Sequence, residues 1–284
     1  MKRAAQALCI MLSLVCAGCN GTTDAAPSGG PPVSSPPAPP PAPSQSVGCN
    51  TLSFARTSDI DALPGGIWSG WLVDCSDHPQ SSFVQAMVTE DGRFHIVVGD
   101  GRLLTGTLGT GGNLVDGHGI DYARDGFEYF SGPTTGLFVQ GTVVERQKLQ
   151  GRWGTEWGGY GYFDLDYLQE AYERPTPLAD LAGAWPLYSN HTGIPVEGVW
   201  TVEADGRFDG QDGAGCLYSG QFSLIDERFS IVAVDISLSG CSRAGTYTGL
   251  AYREDLVDWY EKGIVISVDN GKQALHLSLA IERP

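Results

Sequence analysis

The sequence predicts an all-β chain of two tandem antiparallel meander barrels, about eight strands each, with β-sandwiches as the alternative architecture. Three observations carry this. First, Leu275, Leu277, Leu279 and Ile281 alternate with Ala274, His276, Ser278 and Ala280, and Val232, Val234, Ile236 and Leu238 alternate with Ala233, Asp235 and Ser237. That period of two is the signature of strands with one apolar face. Second, Asp91-Gly92, Asp205-Gly206 and Asn270-Gly271 lie between such runs and supply the positive φ of tight hairpin turns. Third, the chain repeats itself: Asp-Gly-Arg-Phe at 91–94 returns at 205–208, an offset of 114 residues that also carries Gly99 to Gly213, Gly101 to Gly215, Leu103 to Leu217 and Gly106 to Gly220.

The repeat sets the domain boundaries. Gly66-Ile67-Trp68 opens the first half and Gly183-Ala184-Trp185 the second, and both halves end in Glu-Arg-Pro, at Glu173 to Pro175 and Glu282 to Pro284. Residues 48–175 and 176–284 are therefore read as two homologous domains joined near Thr176 to Asp180. In the second, strands are expected at 183–188, 197–204, 206–211, 216–225, 229–239, 244–253, 262–268 and 273–282, and closing the meander removes the unpaired edges. Short helical turns are expected only around Asp166 to Tyr172 and Asp255 to Tyr260. The Gly-x-Trp opening of an eight-stranded meander resembles the lipocalin-like, or calycin, barrels. That resemblance implies a tryptophan plugging the closed end of each barrel.

Residues 1–18 have the layout of a secretory signal: Lys2 and Arg3, an apolar run from Ala4 to Val15, then Ala17 and Gly18. The run is too short for a helix spanning roughly 30 Å of hydrocarbon. Val15-Cys16-Ala17-Gly18-Cys19 resembles the lipobox of bacterial lipoproteins, with Cys16 where the family usually has Leu. The resemblance implies cleavage before Cys19, its acylation (diacylglycerol and palmitate), and, with Asn20 following, residence in the outer membrane. Residues 19–47 then form a linker in which 27–43 hold nine of the 17 prolines and no charge. Such a segment is extended and spans up to roughly 80 Å at about 3.1 Å per residue.

Cys9 and Cys16 leave with the signal, and Cys19 takes lipid. Four cysteines remain, and in an oxidising compartment an even set implies disulfides. Cys49 with Cys75 and Cys216 with Cys241 keep each pair within its own half. The formal net charge of −16 falls to about −18 once Lys2 and Arg3 are removed. That charge repels phosphate backbones, which excludes nucleic acid as a partner, and permits a cationic partner or a metal ion.

The sequence holds no Gly-x-Ser-x-Gly, SxxK or HExxH motif and no cysteine available as a nucleophile, so no enzyme activity and no cofactor are expected. Glu203, Asp205, Asp209 and Asp212 are weak candidates for Ca²⁺ on a turn-rich segment, against a plain solvated hairpin. Aromatic side chains suited to stacking on sugars or gripping a protein are Trp153, Trp157 and Tyr160, Phe127, Tyr129 and Phe130, and Trp259 with Tyr260. Carboxylate pairs such as Glu145 with Glu156, or Asp164 with Asp166, are candidates to flank a glycosidic bond, and His118 sits in a glycine-flanked stretch. The expectation is a non-catalytic envelope lipoprotein binding a ligand or protein. The alternatives are an inhibitor or immunity lipoprotein against a cell-wall-active enzyme, and a carbohydrate-active enzyme. An open barrel mouth would favour a small ligand, and filled barrels with exposed loops would favour a protein target.

Overall fold

The computed structural model describes residue 49 and residues 53–76, 80–123, 132–189, 198–257 and 260–282, all within one compact unit, Pro40–Pro284. The signal segment, Cys19 and the Pro-rich stretch lie outside the described residues. The first barrel runs β1 (Gly66–Asp74), β2 (Gln80–Val88), β3 (Arg93–Val98), β4 (Leu103–Gly111), β5 (Leu114–Tyr122), β6 (Thr134–Val144), β7 (Lys148–Thr155) and β8 (Tyr160–Tyr167). Each strand is antiparallel to the next, and β8 pairs back onto β1.

One helical turn, α1 (Gln169–Tyr172), and a 3-10 turn (Leu178–Leu181) lead into the second barrel. Its strands are β9 (Gly183–Ser189), β10 (Gly198–Val202), β11 (Arg207–Asp212), β12 (Leu217–Leu224), β13 (Val232–Ser239), β14 (Gly245–Val257), β15 (Tyr260–Asp269) and β16 (Ala274–Glu282), closed by β16 onto β9. The architecture is two closed meander barrels, not sandwiches. One local expectation is corrected. Where a helical turn is expected over 255–260, the described residues are strand: β14 runs on to Val257, which pairs with Tyr260 of β15, and Asp255 faces Lys262 across the ladder.

The sequence repeat is a packing device used twice. Gly92 and Gly206 both have φ of +85°. Each donates its N–H to the carbonyl three residues back, of Thr89 or Glu203, at 2.9 Å. Each accepts from the strand after next, from Leu108 N at 2.8 Å or Phe222 N at 2.9 Å. The phenylalanine that follows, Phe94 or Phe208, is buried inside its barrel and faces Gly106 or Gly220 across the ladder. A Cβ on Gly106 would lie 2.8 Å from the Phe94 ring, and one on Gly220 would lie 3.0 Å from Phe208 Cε1. Glycine makes the space that the ring fills. At the start of each barrel a wholly buried tryptophan donates to the carbonyl four residues back: Trp68 Nε1 to Pro64 O at 3.2 Å, and Trp185 Nε1 to Leu181 O at 2.8 Å.

Both disulfides form, with Cα separations of 5.9 Å for Cys49–Cys75 and 5.0 Å for Cys216–Cys241. The second pins the open end of the β12–β13 hairpin, beside the Leu217–Ser239 pair. The first ties the N-terminal segment to the end of β1. From there a strap crosses the outside of the first barrel: Arg152 lies over the Phe54 ring at 5.9 Å, and Asn113 bonds Ala55 O at 3.1 Å and Thr57 N at 2.6 Å. Asp61 then accepts from Gly112 N at 2.7 Å before the chain enters β1.

The barrels share an apolar seam in which Ile67, Met87 and Tyr172 meet Ile231, Leu250, Tyr252 and Val265. Tyr172 stacks on Phe229 with centroids 4.4 Å apart. Polar contacts border it: Arg174 with Asp255, Gln85 to Glu254 at 3.2 Å, and Tyr122 OH to Asp269 at 2.8 Å. His95 of β3 reaches across to Ser267 of β15, Nδ1 to Oγ at 3.1 Å, and packs over Gly249 of β14. It is 4 % exposed and Ser267 is 0 %. Burial pushes the imidazole down to about 4, Asp269 pulling it up and Arg93 pushing it further down.

Two outcomes follow from this packing. Gly220→Val drives a branched side chain into Phe208 and the Asp235 carbonyl, and overpacking of this kind costs about 1–3 kcal/mol, read as a lower urea midpoint. For His95, the unfolded chain binds a proton near pH 6.5 and the folded chain only near 4. Its contribution is complete above pH 6.5 and is lost as pH falls toward 4, in all about 3 kcal/mol. Urea midpoints between pH 7 and 4.5 should fall for the wild type and flatten in His95→Gln. An unchanged slope in the variant excludes His95 as the source.

Candidate functional site

The barrel interiors are filled. In the second, Trp200 stacks on Phe208 at 4.6 Å and meets Tyr218 at 5.0 Å. The first encloses a cavity of about 20 Å³ lined by apolar side chains including Leu104, Val139, Trp153 and Phe163. That is room for about one water molecule, and ligand pockets start near 300 Å³. Trp153, expected among the presented aromatics, is a wall of this interior, 4 % exposed, its Nε1 donating to Val73 O at 3.2 Å. Arg102 lies over its other side at 5.5 Å and pairs with Asp100 at 2.9 Å and Asp121 at 3.4 Å.

The exposed aromatics lie on the outside of the first barrel. Strand register builds a row across β4 to β8: Thr107 pairs with His118, His118 with Phe138, Phe138 with Gly154 and Gly154 with Tyr160. Directly opposed residues share a face, and since Leu137, Val139 and Trp153 point inward, this row points outward. Phe138 is 54 % exposed, Tyr160 50 %, and Trp157, in the turn between β7 and β8, 51 %. Among the described residues nothing covers Gly154: a Cβ there would meet only the Gly159 carbonyl, at 3.7 Å. The next outward row, Gly109, Asp116, Gln140 and Arg152, is exposed and polar. Phe138 escaped the sequence reading, although its place between inward Leu137 and Val139 in a period-two run marks it as outward.

Other expected residues are not brought together. Phe127, Tyr129, Phe130 and Trp259 lie outside the described residues, as does the Tyr260 side chain, whose backbone starts β15. Glu203 and Asp205 sit at the β10–β11 turn, Asp209 is exposed along β11, and Asp212 ends that strand turned inward, accepting from Ala214 N, Cys216 N and Tyr218 OH at 2.9 Å each. Glu203 sits opposite Arg207 and Asp212 at the far end of β11, roughly 17 Å of strand away. No group of three or more His, Cys, Asp or Glu among the described residues is placed to hold a metal ion. Asp164 and Asp166 share one outer face and clasp Lys148 between them. Glu145 and Glu156 follow opposite ends of β6 and β7. The His95–Ser267 contact, missed in the sequence because the two residues are 172 positions apart, is sealed between the barrels.

No protein-family model, curated protein or solved structure matches this chain.

Of the six described tryptophans, Trp68, Trp153, Trp185 and Trp200 are buried, Trp71 is partly buried and Trp157 is half-exposed. Trp157→Phe should lower the acrylamide quenching constant of the intrinsic fluorescence and shift the remaining emission to the blue. An unchanged constant places Trp157 inside the fold.

Proposed function

We propose that the chain is a non-catalytic binding protein of the bacterial cell envelope, acylated at Cys19, held away from the membrane on the Pro-rich segment, and engaging its partner with the outer face of the first barrel. The observation that carries this is the contrast between an interior with room for about one water and three half-exposed aromatic side chains, Phe138, Trp157 and Tyr160, on the same barrel. Exposed aromatics at fixed positions on a rigid sheet are the residues that dominate binding energies. The signal, the cysteine after Ala17-Gly18 and the uncharged Pro-rich stretch support the tether.

A second reading, an inhibitor or immunity protein against a basic cell-wall-active enzyme, draws on the net charge of −16, which would steer such a target. The two readings use the same surface and differ in what the partner does when bound.

The test is retention from envelope extract on the full chain purified in detergent, with Phe138→Ala and Tyr160→Ala alongside. Each substitution removes an exposed ring, so folding is kept and retention should drop about tenfold or more. Retention equal for all three proteins removes the outer face from the binding reading. Inhibition of a retained hydrolase selects the second reading.

A further inference from the structure

We infer that the row Phe138–Gly154–Tyr160 is a glycan platform, on which an extended, uncharged polysaccharide strand lies across β5 to β8. The inference rests on the surface-binding reading above and names its partner. Sugar rings present flat C–H faces, which stack on aromatic rings, and hydroxyl edges, which need groups that donate and accept in a plane. The first barrel supplies both in adjacent rows: His118, Phe138 and Tyr160 in one, Asp116, Gln140 and Arg152 in the next.

Spacing agrees with that division. Neighbouring strands stand about 4.8 Å apart, so Phe138 and Tyr160 are separated by roughly 10 Å along the row, about two sugar rings of an extended chain. Between them Gly154 leaves the sheet flat. Five strand glycines are covered by rings, Gly106 by Phe94, Gly151 by Phe163, Gly161 by Trp153, Gly210 by Trp200 and Gly220 by Phe208, whereas Gly109 and Gly111 of β4 are open like Gly154 but have no aromatic neighbour in register. Those five lie under inward rings of the cores. Gly154 has an aromatic neighbour on each side in register and no described side chain over it.

Local charge selects a neutral occupant. The chain carries −16, yet this face sets Arg152 beside Asp116, with Glu156 at its edge over Gly136, and so carries little net charge. A basic protein would find better complementarity elsewhere on the surface. The rings are also separated by glycine and bordered by Thr107, His118 and Gln140, whereas the centre of a protein interface is contiguous and apolar. In the second barrel the exposed large apolar side chains among the described residues are aliphatic: Val199, Leu217, Leu224 and Ile225. The platform belongs to one repeat.

The experiment is calorimetric titration of the full chain in detergent with two probes, chitohexaose and cellohexaose. The wild type should bind at least one. Phe138→Ala should weaken that binding about tenfold, and so should Gly154→Leu, which fills the bare site without a clash and leaves the unfolding midpoint unchanged. Failure of both probes to bind the wild type, or binding indifferent to both substitutions, overturns the glycan platform. If neither probe binds while an envelope protein is retained by the wild type and lost in Phe138→Ala, the glycan is wrong and the surface-binding reading stands. If neither probes nor envelope proteins are retained, both fall.

Discussion

Everything in this molecule depends on how an eight-stranded barrel fills its middle. Closing eight strands leaves an interior just wide enough for side chains, so large rings must be matched by small residues opposite. The chain solves this with phenylalanine and tryptophan set over glycine, as Phe94 over Gly106 and Phe208 over Gly220. Once those rings are seated, the cavity left in the first barrel among the described residues measures about 20 Å³, and in the binding reading proposed above recognition falls to the outside. The same economy explains why the molecule is glycine-rich without being loose. Its 39 glycines include many that serve as floor for a ring or as the tight point of a hairpin.

Much of this architecture was legible in the residues. Period-two alternation located all eight strands of the second half, and the 114-residue offset between the Asp-Gly-Arg-Phe copies marked both the duplication and the turn that the copies build. The cysteine pairing was readable because each pair stays within its own half. The stretch 255–260, Asp-Leu-Val-Asp-Trp-Tyr, misled because it shows no period-two alternation by which a strand is told from a helical turn. Only the pairing of Asp255 with Lys262 decides between them.

The surface was harder to read. A composition rich in tryptophan and tyrosine cannot say which rings point inward, and Trp153 and Trp157, four residues apart, end on opposite sides of the barrel wall. Phe138 joins Tyr160 only through the register of three strands, a property of the assembled sheet. The buried His95–Ser267 contact likewise exists only because two barrels dock, and no local pattern around His95 announces it. What the sequence expresses well is each strand's own preference. What it expresses poorly is which strands' outer faces become neighbours.

The Cys49–Cys75 bond has a mechanical meaning. If the Pro-rich segment is the tether proposed above, a pull along it arrives at Cys49 and passes through a covalent bond into the end of β1. The strap from residue 53 to the start of β1 hangs as slack behind that bond, fastened by Asn113 and Gly112 but carrying no tension. Load therefore bypasses the strap and enters the fold at a strand held on both sides, by β2 and β8. On the tether and binding face proposed above, the force that holds the protein in place would enter away from the face that binds.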